Sequence, residues 1–255
     1  MVAFTDNDSE KWGGTCCGIS VIPPTKEHLE KFDTIMLCCV QAEEEIKSQL
    51  KLLGIADSKI ECVKENDYDI AVRTAFYSKM KQEFCERGIN GSIAELGVFR
   101  GDEAKILNSI FRDRTLHLFD TFEGFDIRDI DVEHDEGNSF AKEKQFNDTS
   151  INIVKEKLEY PSKVIFHKGY FPDTWIEIRD VFALVRIDMD LYQPTVSALN
   201  IFHERMVSGG VILLHDYYGD SYIGIKKAVD DYLILHEELI KIPIGDSLSC
   251  LIVGY

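Results

Sequence analysis

From residue 92 onward the chain alternates short apolar runs with stretches in which apolar residues recur every three or four positions. The runs at 92–96, 115–119, 163–167, 181–187, 210–214 and 248–254 read as strands; the periodic stretches at 101–111, 150–159, 172–179, 193–206 and 222–238 read as helices. Upstream, Ile70, Val72, Ala75, Phe76, Met80 and Phe84 form a helical stripe able to pack beside the sheet. Such alternation predicts an α/β fold with a doubly wound, mostly parallel sheet, whose function belongs at the carboxyl ends of its strands. One interval breaks the rhythm. Residues 124–149 are polar and acidic with scattered aromatics, and a connection this long beside a strand end reads as a lid over the site.

The first part of the chain follows a different pattern. An apolar strand is expected over 34–40 and a helix over 42–53, with Ile46, Leu50 and Leu53 on one face and Gly54 ending it. The expected division is therefore a small α/β appendage over 1–64 and a main domain over 65–255. No Gly-rich phosphate turn precedes Phe4, so the appendage reads as a docking or oligomerisation unit, and the protein as a homo-oligomer.

Charge narrows the partners. With 28 Lys and Arg against 45 Asp and Glu the formal charge is −17, which disfavours nucleic acid and anionic membrane surfaces and favours a neutral or cationic small substrate. The seven cysteines include no C-x-x-C pair, as expected of small buried thiols in a cytoplasmic protein, and no leader or membrane-spanning run is apparent.

Candidate chemistry concentrates where strands end. Glu95, Gly97 and Gly101 follow the first main strand, and Asp120 and Thr121 close the second. A dinucleotide fingerprint needs glycine where Glu95 stands, because a carboxylate would repel pyrophosphate. The E-x-G-x-x-x-G spacing suits an adenosine cofactor with a sulfonium and an ammonium in place of phosphate, namely S-adenosylmethionine. A carboxylate at a strand end, Asp120, can accept hydrogen bonds from both ribose hydroxyls. Tyr217 and Tyr218 could line an acceptor pocket.

The segments 94–125, 145–150, 168–174 and 186–199, with 209–217, resemble in order the macrocin O-methyltransferase family. The resemblance implies a seven-stranded class I methyltransferase sheet and S-adenosylmethionine bound by Glu95, Gly97, Gly101, Asp120, Thr121, Gly169 and Asp188. It also implies methyl transfer to a hydroxyl of a sugar or glycosylated small molecule. The donor motifs leave open an N-methyltransferase acting on an amino sugar, or a silent donor-binding assembly protein. A divalent metal, Mg²⁺ or Mn²⁺, is implied at Asp188 and Asp216, with His215 or Asp190 completing the set. This chain departs from the family by carrying His215 before Asp216 where an Asp-Asp pair is usual. Imidazole tilts preference away from Mg²⁺, and it also offers His215 as a general base with a pKa near working pH. Metal-assisted transfer, transfer assisted by His215 and a structural His215 all stay open on the sequence, with Asp188 and His215 the catalytic candidates. Residues 1–62 resemble part of a small nucleotide-binding Rossmann module, beginning at that module's second strand.

Overall fold

The computed structural model describes residues 2–16, 18–37, 43–62 and 67–255, which fall into two compact units, 1–67 and 68–255. In the first unit β1 (Phe4–Thr5), β2 (Thr15–Cys16) and β3 (Ile19–Ile22) form a sheet with β3 in the middle, parallel to β1 and antiparallel to β2. The short helix α1 (Lys26–Leu29) precedes β4 (Ile35–Leu37), and α2 (Glu43–Leu52) precedes β5 (Ile60–Cys62), which pairs parallel with β4. Leu29, Ile35, Leu37, Leu50 and Ile55 make a core of their own. The expected strand over 34–40 is seen at β4, and its last three positions lie outside the described residues. Gly54, at φ 77°, takes the left-handed turn after α2 that a side chain would resist.

The second unit opens with α3 (Asp67–Glu86) and then winds β6 (Ser92–Leu96), α4 (Asp102–Ile110), β7 (Leu116–Asp120), α5 (Ile127–Asp135), α6 (Ile151–Lys157) and β8 (Val164–Lys168). It continues through β9 (Phe182–Ile187), α7 (Tyr192–His203), β10 (Met206–Leu214), α8 (Ile223–Leu235), β11 (Ile240–Pro243) and β12 (Cys250–Val253). The seven strands lie in the order β11-β12-β10-β9-β6-β7-β8. β6 to β10 run parallel, and β12 is antiparallel to both its neighbours, so the sheet is doubly wound and mostly parallel as the alternation predicts. Strands such as β6 and β9 are buried at every position because helices cover both faces. The strand order reverses between β6 and β9, the switch point where ligands enter folds of this kind.

Three elements differ from the sequence pattern. Residues 172–179 are turns, not a helix: the apolar spacing is real, but it is used by Phe171, Trp175 and Ile178 to pack on the core, and Glu177 sits at φ 56°, outside helical space. The acidic interval 124–149 contains α5, which buries Ile130 on the core. β11, a short edge strand ending in a proline, was hidden between α8 and the last strand.

Candidate active site

At the switch point a cavity of about 250 Å³ opens between the loops that follow β6, β7, β9 and β10. Its first wall is the turn after β6. Gly97 sits there at φ 80°, and a Cβ on it would run into the backbone carbonyl of Asp188, so the glycine lets the β6 and β9 loops touch. Asp120, at the end of β7, ties this turn down. One oxygen accepts from the amides of Val98 (2.7 Å) and Phe99 (2.9 Å), and the other accepts from Phe122 (2.6 Å). Phe99 and Phe122 are left-handed, at φ 47° and 53°, conformations these bonds hold in place. Burial pushes the Asp120 carboxyl up, and the three amides oppose it. Thr121 and Gly169 line the same wall, and the Gly169 amide donates to the Asp120 carbonyl (3.0 Å).

Two residues expected at the donor site stand elsewhere. Gly101 does not line the cavity; it starts α4 in a left-handed conformation, and a Cβ there would strike Val154 of α6 (2.7 Å), so helix packing demands the glycine. Glu95 is fully buried behind the cavity, where its Oε1 accepts from Arg186 (3.0 Å) and its Oε2 has no partner. Burial pushes its carboxyl well above the usual carboxylate range, Arg186 opposing. The reason is geometric. In a strand, side chains alternate between faces and register partners share one, so Glu95 and Arg186, directly opposite on β9, stand side by side on the same face of the sheet.

Arg186 is the residue the sequence pattern conceals, because it sits in an otherwise apolar strand; that lone charge was the available signal. Its guanidinium also reaches Asp188 (2.7 Å) and, more distantly, Glu103 (3.9 Å). Glu103 in turn meets Arg73 (3.2 Å) and the Tyr77 hydroxyl (2.7 Å). A buried charge network thus runs from α3 through α4 to the cavity floor.

The second wall carries Asp188 and Asp190 after β9 and His215 and Asp216 after β10. Asp190 and Asp216 hold φ of 62° and 56°, strained values for side-chain-bearing residues and common at functional sites. His215 Nδ1 lies 3.1 Å from both Asp188 and Asp216, without a well-directed hydrogen bond to either, so the attraction is mainly Coulombic. Burial disfavours its charged form, but the two carboxylates win and push its pKa up to about 10. That direction favours the imidazolium over the neutral base expected from the unperturbed value. Burial works against the Asp188 carboxylate too, yet Arg186 and His215 hold it well below the usual range. Asp190 shifts the other way, raised by burial and by the neighbouring Asp188 and Asp216. Asp188, His215 and Asp216 present ligand atoms all within 4.8 Å of one another.

The segment over 124–149 closes the third side. Phe125 and Phe146 line the cavity, and the backbone of Phe125 pairs with Lys144 and Gln145 (3.1 Å each). Buried Glu133 fastens α5 to the start of α7 and to the loop that follows α5, accepting from the Tyr192 amide (2.6 Å) and the Ser139 hydroxyl (2.8 Å). Tyr170 and Met189 add further lining. Tyr217 and Tyr218 do not line the cavity: Tyr217 is buried and donates to Asp230 (2.7 Å).

Residues 72–246 match the profile of the macrocin O-methyltransferase family, and residues 1–61 match a profile described as C2185-like, N-terminal. Among curated relatives, demethyldecarbamoylnovobiocin O-methyltransferase of Streptomyces niveus is 27% identical over 162 residues, 59% of this chain and 61% of the relative. Mycinamicin III 3''-O-methyltransferase of Micromonospora griseorubida is 28% identical over 171 residues, 61% of this chain and 66% of the relative, so the chain spans under two thirds of either. The calicheamicin methyltransferase CalS11 shares the fold with a TM-score of 0.59 at 19% identity, over 89% of this chain and 90% of that one. The O-methyltransferase NovP does so with a TM-score of 0.58 at 22% identity, over 71% and 78%. On the match over residues 72–246, the chain belongs to the macrocin O-methyltransferase family.

Proposed function

We propose that this protein transfers a methyl group from S-adenosylmethionine to a hydroxyl of a sugar or glycosylated small molecule. The observation that carries the reading is one cavity joining the Asp120-pinned turn to the cluster Asp188, Asp190, His215 and Asp216. Gly97, Asp120, Thr121 and Gly169 would hold the donor, the remaining acceptance capacity of Asp120 meeting the ribose. Asp190, which burial and the neighbouring Asp188 and Asp216 push up, would take the acceptor's proton from its ionised form. Asp188, fixed by Arg186, would position the neighbouring charges, and alignment of acceptor with donor is the larger contribution, roughly 7–11 kcal/mol against about 10²–10⁴-fold from a base.

The donor set at Asp188, His215 and Asp216 fits a divalent ion: the ligand atoms converge and both His215 nitrogens lack a directed partner. Such an ion would stabilise negative charge developing on the acceptor oxygen. Without it, the His215 imidazolium sets a positive charge at the same place, so the two are alternatives for one electrostatic role. Chelator separates them. Loss of transfer, restored by Mn²⁺ at least as well as by Mg²⁺, marks the ion; indifference to chelator with loss in His215→Ala marks the imidazolium.

Calorimetry with S-adenosylmethionine, then mass spectrometry for a 14 Da gain across a glycoside panel, tests the whole reading; absence of donor binding would end it. Among the described residues no helix is long and apolar enough to cross a membrane. Free thiols at Cys85 and Cys250 support a cytoplasmic site of action. Residues 1–64 serve in this reading as a docking or oligomerisation unit.

A further inference from the structure

Among the described residues a second convergence of ligand atoms lies away from the cavity, at His203, His236 and Glu238, again all within 4.8 Å. His203 ends α7, whose other end adjoins the cavity loop; its twelve residues at 1.5 Å each put about 18 Å between the two places. His236 caps the C-terminal end of α8, and Glu238 lies in the turn before β11. Two helix C-termini thus meet, and the negative ends of both dipoles favour a cation there. The imidazole rings face each other with centroids 4.2 Å apart, and His236 Nδ1 approaches the Glu238 carboxylate (3.4 Å).

An outer layer is also present. His203 Nδ1 lies 2.6 Å from the Tyr232 hydroxyl, which stands 3.3 Å from that of Tyr255. With Nδ1 donating to Tyr232, the ring's lone pair falls on Nε2, the tautomer a metal ligand needs, and the hydroxyl pair fixes the ring's orientation. Both histidines are half-buried on helix ends, while Glu238 is exposed, which leaves the place open to solvent.

We propose that His203, His236 and Glu238 form a binding site for one Zn²⁺-class transition-metal ion, separate from the cavity. Two imidazoles and one carboxylate are a donor set suited to Zn²⁺, with water completing the coordination. Bound there, the ion ties α7 and α8 to the turn before β11 and stabilises the side of the sheet whose opposite end carries the reacting groups.

The test is Zn²⁺ titration by calorimetry, with Co²⁺ absorption as a second probe, on the parent protein, Glu238→Gln, His203→Gln and His215→Ala. Glu238→Gln and His203→Gln should each weaken the same single equivalent on the order of 100-fold. His215→Ala should keep that equivalent intact, and in the His215→Ala background, which removes the cavity's imidazole, Zn²⁺ should raise the thermal midpoint but should no longer do so once Glu238→Gln is added. Since Glu238 is exposed, its variant reads the site even if His203→Gln misfolds. Binding unchanged in Glu238→Gln, or abolished by His215→Ala alone, would overturn the proposal.

Discussion

A methyl group on Gly97 would enter the backbone of Asp188, so this position governs the cavity floor as much as any bound ligand. Gly97→Ala is expected to cost about 2–4 kcal/mol of stability, from left-handed strain plus overpacking against an unyielding carbonyl, and to reduce turnover by displacing Asp188. Denaturant unfolding reads the first effect; a variant as stable as its parent would show that the β9 loop gives way freely. Asp120 has a similar double duty. Its three amide partners are each worth about 1.5–3 kcal/mol as bonds to a charged group, so Asp120→Ala should lose stability on that order and weaken donor binding together. Weakened binding at full stability would mean the carboxylate acts on the ligand alone. Asp120, Asp188, His215 and Asp216 were legible in the sequence because polar residues stand out where apolar strands stop. Glu95 was not, since spacing fixes its position but not its partner, and that partner is 91 residues away. The shift of His215 toward a cation was equally hidden, because it depends on Asp188, brought within 3.1 Å from the neighbouring strand β9, and on the turn that sets Asp216 at the same distance.

At the scale of elements the period of the apolar positions found most of the strands and helices, and failed where tertiary packing used the same pattern otherwise. Trp175 illustrates the failure: its apolar spacing looks helical, yet the indole stacks on Phe119 (5.9 Å between centroids) from a turn. The strands also carry a polar chain that periodicity cannot reveal. Asp180 contacts His117 (3.0 Å), and His117 contacts His167 on the adjacent strand (2.9 Å). Burial first, and then the neighbouring His117, hold His167 down to a pKa of about 4, and burial lowers His117 as well. The unfolded chain protonates His167 near pH 6.5, whereas the folded chain does so only near pH 4. Between those values the unfolded state binds more protons, so stability rises with pH across the window and is lost as pH falls through it. The thermal midpoint should therefore drop from pH 7 to pH 4.5, and His167→Gln should flatten the slope. An equally steep decline in that variant would move the titration elsewhere.

Over the whole molecule the balance of −17 shapes how copies meet. Like-charged copies repel, so any assembly must draw on apolar contact and should strengthen as salt screens the repulsion, the reverse of an association built on ion pairs. The first unit has the surface for it. Leu52 on α2 is 90% exposed, and Phe4 and Trp12 are also exposed, so we propose these side chains as the apolar contact of such an assembly. A charge at Leu52 should be tolerated by the fold, because the side chain is already in solvent, but not by a neighbouring copy seated on it. Leu52→Glu is thus expected to weaken self-association about tenfold or more, while S-adenosylmethionine binding in the second unit stays constant. Sedimentation equilibrium at low and high salt measures both dependences. Self-association that Leu52→Glu leaves untouched, or that fades as salt rises, would remove the first unit's apolar face from the assembly.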